Sequence, residues 1–111
     1  MEELQLETIR IERDGHVLVA TIDHPRSDMN AVDEALHRDL ALLFAAAKRE
    51  SEARAMVLTG SGRAFSAGGD MSWFPTLRSP DRLHRLRREA KQIIWDLLDV
   101  EFPICLLYTS P

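Results

Sequence analysis

Two short apolar segments joined by Asp14-Gly15 constrain the fold of this 111-residue chain more than any other feature. Residues 4–11 are rich in aliphatic and β-branched side chains, and residues 17–22 are almost continuously apolar. Two such segments on either side of an Asp-Gly pair predict a β-hairpin. Because Val17-Leu18-Val19-Ala20 contains no polar residue, we expect both faces of the second strand to be covered.

A helix and a third strand follow this hairpin. Apolar residues at helical spacing predict a helix over residues 31–49, and they form one stripe: Leu36, Leu40, Leu43, Phe44 and Ala47. Asn30 is placed to cap this helix, and Asp33 lies in its first turn, where a negative charge interacts favourably with the helix dipole. The apolar run of residues 55–59, ended by Gly60, predicts a buried strand. The order strand, strand, helix, strand indicates an α/β fold in which the third strand joins the earlier sheet.

A second helix is predicted from Ser79-Pro80, a capping hydroxyl followed by proline at the first helical position, to a point before Phe102-Pro103. Its apolar face consists of Leu83, Leu86, Ala90, Ile93, Ile94 and Leu97. The rest of residues 78–91 is strongly basic, which is typical of a solvated face. A basic helix also suits coenzyme A phosphates, an anionic surface or RNA, but no aromatic residues alternate with the basic ones to stack nucleic-acid bases.

Composition narrows the classes of function. A chain of 111 residues with 45% hydrophobic residues has room for one globular domain, and its net charge of −4 argues against nucleic acid or an anionic membrane as partners. The single cysteine, Cys105, excludes an internal disulfide. No apolar run approaches the roughly 20 residues of a membrane span, and residues 1–5 do not resemble a secretory signal, so we expect a cytoplasmic protein. The four histidines show no metal-ligand spacing, and His37 and His84 are predicted to be exposed on helices.

The segment after the third strand carries the chemical signal. Residues 60–70 consist largely of glycine, alanine and serine, with Phe65 as the one large apolar residue. Small side chains allow a ligand to approach the backbone closely, so such a loop presents N–H groups rather than side chains. An N–H aimed at a thioester oxygen stabilises the charge that develops there during enolate formation. The loop is not a phosphate-binding P-loop, because no Gly-Lys-Ser/Thr follows its glycines; an ordinary glycine-rich connection is the alternative.

Four motifs, taken in order, resemble the crotonase (enoyl-CoA hydratase/isomerase) superfamily across residues 4–103. An apolar strand leads into His24-Pro25, and Met29-Asn30-Ala31 opens the first helix. The strand Val57-Leu58-Thr59-Gly60 then leads to the six residues Phe65-Ser66-Ala67-Gly68-Gly69-Asp70. The resemblance implies the N-terminal part of the family's β-β-α spiral fold, in an incomplete form.

The same resemblance implies roles for individual residues. The backbone N–H of Gly69 corresponds to the family's first oxyanion-hole donor, and Asp70 corresponds to an aspartate that holds the turn. The residues implied to contact the acyl-CoA substrate are Met29, Ala31, Ala64, Ala67, Gly68, Gly69, Asp70 and Met71. Coenzyme A enters as part of the substrate, so no separate cofactor and no metal is expected. Trp73 and Phe74 either line the acyl pocket or pack beneath the loop.

The resemblance also shows what these residues do not supply. The family's second oxyanion donor and its catalytic carboxylates come later than the segment that matches Ile104. We therefore expect residues 1–105 to be the N-terminal portion of a crotonase-like domain and residues 106–111 to be a non-native tail. The parent protein is expected to hydrate or isomerise an enoyl-CoA as a homotrimer or hexamer, while this chain is inactive. The alternative is a non-catalytic truncated module that binds coenzyme A or, through the basic helix, a protein partner.

Overall fold

The computed structural model describes residues 4–107 and contains one four-stranded sheet with two α-helices. The strands are β1 (Ile9–Asp14), β2 (Val17–Ile22), β3 (Ala55–Gly60) and β4 (Ile104–Leu107). The helices are α1 (Glu34–Ala47) and α2 (Pro80–Leu98), and a short 3₁₀ helix spans Phe74–Arg78. The α/β fold class predicted from the order of the apolar segments is confirmed.

The predicted hairpin forms, but its first strand lies later than predicted. β1 pairs antiparallel with β2 from Ile9↔Ile22 to Asp14↔Val17, so the strand continues up to the turn and residues 4–8 precede it. Gly15 occupies the turn with φ 62, a conformation that tight hairpin turns need and that glycine adopts without strain. The error arises because residues 12–14 are polar, and they extend the strand through backbone pairing rather than through an apolar pattern.

The remaining strands are parallel neighbours in the order β1-β2-β3-β4. α1 connects β2 to β3, and α2 connects β3 to β4, as parallel strands require crossover connections. Leu106 and Leu107 pair with Leu58 and Thr59, so both belong to β4. Residues 108–111 lie outside the described part of the chain, and the predicted boundary of a non-native tail at residue 106 stays a prediction.

The core lies between one face of the sheet and α1. Its most buried members include Leu18, Ala20 and Met56 on neighbouring strands and Leu36, Leu43 and Ala47 on α1. On the other face of the sheet, Val17 and Val19 are only half-buried. Thr21 on that same face is 8% exposed, so within residues 4–107 the expectation that both faces of β2 are covered holds fully for one face and in part for the other.

α2 packs against α1 and joins the core through Ile93 and Leu97. Ile94, predicted on the same apolar face, is 54% exposed, because it lies about 100° around the helix from Ile93. The two helices are also joined by polar contacts. Lys48 Nζ lies 2.7 Å from Asp96 Oδ1, and His37 Nδ1 lies 2.5 Å from Glu89 Oε1. None of the helices in residues 4–107 has the length and apolar character that crossing a membrane demands.

Candidate functional site

The glycine-rich loop and the Met29-Asn30-Ala31 motif meet at one edge of the sheet. β2 and β3 are parallel and end in register, with Ile22 opposite Gly60. Residues 23–33 leave the end of β2 and residues 61–73 leave the end of β3, so both segments emerge side by side. Ligand sites of α/β sheets form at this edge, outside the carboxyl ends of the strands.

Asn30 does not cap α1, contrary to the prediction. The cap is Asp33, whose Oδ1 accepts a hydrogen bond of 3.0 Å from the N–H of Leu36. Asn30 is instead 2% exposed and has a positive φ of 51, a left-handed conformation that asparagine tolerates better than most residues. The prediction failed because asparagine is common both at helix caps and in left-handed loop positions, and sequence alone does not separate the two.

The segments of residues 29–32 and 66–70 are joined by backbone hydrogen bonds. The N–H of Ala67 donates to the carbonyl of Met29 over 2.8 Å, and the N–H of Val32 donates to the carbonyl of Gly68 over 2.7 Å. The N–H of Asp70 then donates to the carbonyl of Val32 over 2.7 Å. Gly68 has φ 92, which a residue with a side chain rarely adopts, so glycine is needed for the loop to make this approach.

The bridge between Val32 and Gly69 fixes the direction of the Gly69 amide. The carbonyl of Gly68 and the N–H of Asp70 both face Val32. The N–H of Gly69 belongs to the same trans peptide group as the Gly68 carbonyl, and the C=O and N–H of such a group point in opposite directions, so the N–H of Gly69 faces away from Val32. Gly69 is exposed, and its N–H finds no hydrogen-bond acceptor within residues 4–107. The predicted donor is therefore held in a fixed direction by its neighbours while remaining available to a ligand.

Two aromatic residues follow the loop, and one of them, Phe74, lies against it. The ring of Phe74 lies so close to Gly69 that a Cβ on Gly69 would come within 2.6 Å of its Cζ atom. Trp73 packs instead on His37 of α1, with ring centroids 5.8 Å apart. His37 is thus half-buried, contrary to the prediction of an exposed position, whereas His84 is exposed as predicted. The indole Nε1 of Trp73 is buried and has no hydrogen-bond partner within the described residues.

Buried polar groups lie beside the loop, and one of them is His24, which sequence analysis named only as part of the His24-Pro25 motif. His24 is 6% exposed; its Nδ1 accepts from the N–H of Arg26, which places the ring hydrogen on Nε2, 2.9 Å from Asp33 Oδ2. Burial disfavours ionisation of Asp33, but hydrogen bonds from Leu36 and His24 outweigh it and hold the pKa of Asp33 below its usual value. The position of His24 directly before Pro25 was a visible signal for a constrained residue.

Asp70 has the turn-holding contacts expected of it. Its Oδ1 accepts hydrogen bonds from the N–H and the hydroxyl of Ser72, at 2.9 and 2.7 Å. The hydrogen bond from the Ser72 hydroxyl, followed by the one from its N–H, lowers the pKa of Asp70. An ionised carboxylate that already accepts these bonds holds the turn at the end of the loop.

The other predicted substrate contacts lie in the same two segments. Ala31 donates its N–H to the Ser27 hydroxyl, and the carbonyl of Ala64 accepts from the Asn30 side chain. Met29 is 37% exposed and Met71 is 76% exposed, so both side chains border the surface of the loop. The structure therefore brings all the predicted residues together, and their contact with coenzyme A stays a prediction. An open cleft of about 640 Å³ at this edge of the sheet is lined by residues that include Arg26, Asn30 and Ser61, and its lining contains neither Gly68 nor Gly69.

Comparison with known proteins identifies relatives of this chain. Residues 12–105 match the family described as enoyl-CoA hydratase/isomerase. The mevalonyl-coenzyme A hydratase SIDH of Beauveria bassiana is 46% identical over 56 residues, which is 50% of this chain and 20% of that protein. The hydroxycinnamoyl-CoA hydratase-lyase of Pseudomonas fluorescens is 30% identical over 94 residues, which is 82% of this chain and 34% of that protein.

Solved structures of enoyl-CoA hydratases/isomerases share the fold of this chain. The crystal structure of an enoyl-CoA hydratase/isomerase from Mycobacterium paratuberculosis matches with a TM-score of 0.84 and 31% identity, over 95% of this chain and 42% of that one. This chain thus spans less than half the length of the proteins that it matches, and the four-stranded sheet with its two helices is an incomplete version of their fold.

Proposed function

The chain belongs to the enoyl-CoA hydratase/isomerase family, and from this we propose that the whole protein binds an acyl-CoA thioester and stabilises its enolate. The Gly69 N–H is one of the two hydrogen-bond donors to the thioester oxygen. The reaction is hydration of a 2-enoyl-CoA or migration of its double bond, since both pass through charge on that oxygen. Trimers or dimers of trimers are the assembly that the family resemblance suggests.

The single observation that carries this proposal is that the Gly69 N–H is fixed in direction and has no hydrogen-bond acceptor among residues 4–107. Its two neighbours are hydrogen-bonded to Val32, whereas the amide itself is exposed and has no acceptor within residues 4–107. A donor that is fixed before the substrate arrives stabilises developing charge without reorganisation, and losing one such donor typically lowers a rate about 10²–10³-fold. The small side chains of Ala67 and Gly68 leave room for a thioester to approach.

Residues 4–107 provide the binding half of such a site. Asp70 is engaged with Ser72, and His24 is buried against Asp33, so neither is free to move a proton on the substrate. A second donor and an acid or base must come from other parts of the whole protein. We therefore expect this chain alone to bind a thioester weakly and not to turn it over.

The proposal is tested by NMR titration of the ¹⁵N-labelled chain with crotonyl-CoA and, separately, with coenzyme A thiol. A new hydrogen bond to the thioester oxygen shifts the Gly69 amide proton downfield with crotonyl-CoA only, because the thiol has no carbonyl group. The Gly69→Ala variant is the matched control. It keeps the backbone N–H of residue 69, so the downfield shift should remain, and its added Cβ requires only that the Phe74 ring move. Equal shifts with both ligands, or shifts that leave Gly69 unaffected, contradict the proposal.

A further inference from the structure

Asn30 uses all of its polar groups to join three segments of the chain. Its side-chain Oδ1 accepts from the N–H of His24 over 3.0 Å. Its Nδ2 donates to the carbonyls of Ile22 and Ala64, at 3.1 and 3.0 Å, with the carbonyl of Phe65 slightly farther away at 3.3 Å. One buried amide side chain therefore connects the end of β2, the turn after it and the glycine-rich loop.

The backbone of Asn30 adds a second connection to the same loop. Its carbonyl accepts a hydrogen bond of 2.7 Å from the hydroxyl of Ser66. The same hydroxyl oxygen accepts from the N–H of Gly68 at 3.2 Å. Because φ of Asn30 is positive, this carbonyl faces the loop instead of continuing an extended or helical path. The position of residues 66–68 thus depends on both the side chain and the backbone angle of Asn30.

These contacts lie directly upstream of the Gly69 donor. Ala67 and Asp70, on either side of Gly69, bond to Met29 and Val32, which flank Asn30. Any displacement of residue 30 changes the anchor points of residues 66–70 and turns the Gly69 N–H with them.

We propose that Asn30 is the positioning residue of this site: it holds the loop of residues 64–70 in the one arrangement that presents the Gly69 N–H to a ligand. This role rests on the function proposed above, but it concerns the geometry of the loop and is tested independently. Asn30 itself does not touch the substrate, because its side chain is enclosed by backbone carbonyls and it is 2% exposed.

A different buried polar cluster offers a control for general destabilisation. Asp39 on α1 accepts from the N–H and the hydroxyl of Thr8, at 2.7 and 2.6 Å, and both residues are fully buried. The side-chain hydrogen bonds of this cluster anchor residues preceding β1 and involve none of residues 64–70, while the Thr8 carbonyl, which Thr8→Val keeps, accepts from the N–H of Asp23. Thr8→Val removes one buried hydrogen bond there with little change of shape, so it weakens the fold without affecting the support of Gly69.

The test measures amide hydrogen exchange by NMR in wild type, Asn30→Gly and Thr8→Val. Asn30→Gly keeps the positive φ accessible and removes the side chain. We expect exchange at the N–H groups of Ala67 and Asp70 to rise at least tenfold relative to the amides of β3, equivalent to about 1.4 kcal/mol of local opening. Thr8→Val should increase the exchange rates of the loop amides and of the β3 amides by the same factor.

A second variant, Ser66→Ala, allows the test to be made even if Asn30→Gly does not fold. Ser66→Ala removes the hydroxyl that joins the Asn30 carbonyl to the loop and should give the same selective acceleration at a smaller amplitude. Uniform acceleration in both Asn30→Gly and Ser66→Ala overturns the proposal, because it assigns Asn30 a general structural role.

Titration with crotonyl-CoA separates this role from the proposed function. If wild type shows the thioester-specific Gly69 shift, Asn30→Gly should bind crotonyl-CoA with that shift lost or reduced severalfold while shifts common to coenzyme A thiol remain. An unchanged Gly69 shift in Asn30→Gly contradicts the positioning role. If wild type shows no such shift, the function proposal fails, and the exchange measurements still decide whether Asn30 holds the loop.

Discussion

Gly60→Ala is the substitution for which the structure predicts the largest effect among single methyl additions. Gly60 ends β3 at the point where the glycine-rich loop turns back over the strand. A Cβ at this position would lie 2.5 Å from the Ala64 carbonyl oxygen, 2.5 Å from the Phe65 Cα and 2.6 Å from the Phe65 oxygen. All three are backbone atoms, so no change of side-chain rotamer relieves the contact, and the loop itself must move.

The magnitude follows from a comparison with Gly15→Ala. At Gly15 a Cβ meets nothing within 4 Å, and the cost comes from φ 62, about 1–2 kcal/mol for a residue with a side chain. At Gly60, overpacking typically costs about 1–3 kcal/mol. Moving residues 64–65 also weakens the hydrogen bonds that Asn30 makes to their carbonyls, each worth about 1 kcal/mol. If both of these hydrogen bonds are lost, the contributions add to about 3–5 kcal/mol, and we expect Gly60→Ala to lower the free energy of unfolding by that amount.

Urea denaturation followed by circular dichroism measures both variants against wild type. The Gly60→Ala midpoint should lie well below that of Gly15→Ala, and trimethylamine N-oxide can bring a weak transition into range, since it strengthens the folded state. Hydrogen exchange at Ala67 and Asp70 should accelerate in Gly60→Ala and not in Gly15→Ala beyond the global change. If Gly60→Ala is as stable as Gly15→Ala, the close approach of the loop to β3 is wrong, and with it the support that we assign to the Gly69 donor.

Three further predictions concern stability and solubility. The lowered pKa of Asp33 means that its stabilising contribution is present at neutral pH and is lost as the pH falls through that lowered pKa. Asp33→Asn, which keeps a capping side chain, should therefore show a smaller fall of Tm between pH 6 and pH 3, and an equal fall would contradict this. Asp39→Ala leaves the N–H and the hydroxyl of Thr8 buried without an acceptor, so it should lower the free energy of unfolding in urea by about 3 kcal/mol. This is more than we expect for Thr8→Val, and equal losses of stability would contradict the Thr8–Asp39 hydrogen bonds. Leu98 is 75% exposed on α2, so Leu98→Lys should reduce light scattering by aggregates with Tm unchanged, and a lower Tm would show that Leu98 is packed.

The elements with a strong local pattern were predictable from sequence. α1 has five apolar residues on one stripe, and the structure places it at Glu34–Ala47, within the predicted residues 31–49. β2 and β3 are short apolar runs bounded by turn residues, and their predicted limits agree with the structure to within a residue. Ser79 and Pro80 mark the start of α2, although the Ser79 side chain makes no capping hydrogen bond. In each case the same residues determine both the local structure and its burial.

Features that depend on contacts distant in sequence were not predictable in the same way. Asn30 bonds to Ala64, 34 residues later, and this contact decides between a helix cap and a loop support. His37 is half-buried because Trp73 and Glu89 come from two other segments of the chain. Periodicity correctly placed His37 on a helix and identified the apolar face of that helix, but it gives no information about which residues distant in sequence cover its polar faces.

The hydrogen bonds that direct the Gly69 amide all lie within residues 22–70. The strand ends at Ile22 and Gly60 set the two loops side by side, Asn30 joins them, and hydrogen bonds to Val32 turn the Gly69 N–H outward. None of these contacts involves α2 or β4. An oxyanion donor is effective because it is fixed before charge develops, so the part of the fold that fixes it can be separated from the part that supplies proton transfer. The segment that positions this donor is therefore expected to keep its geometry whatever acid or base the rest of the protein places opposite it.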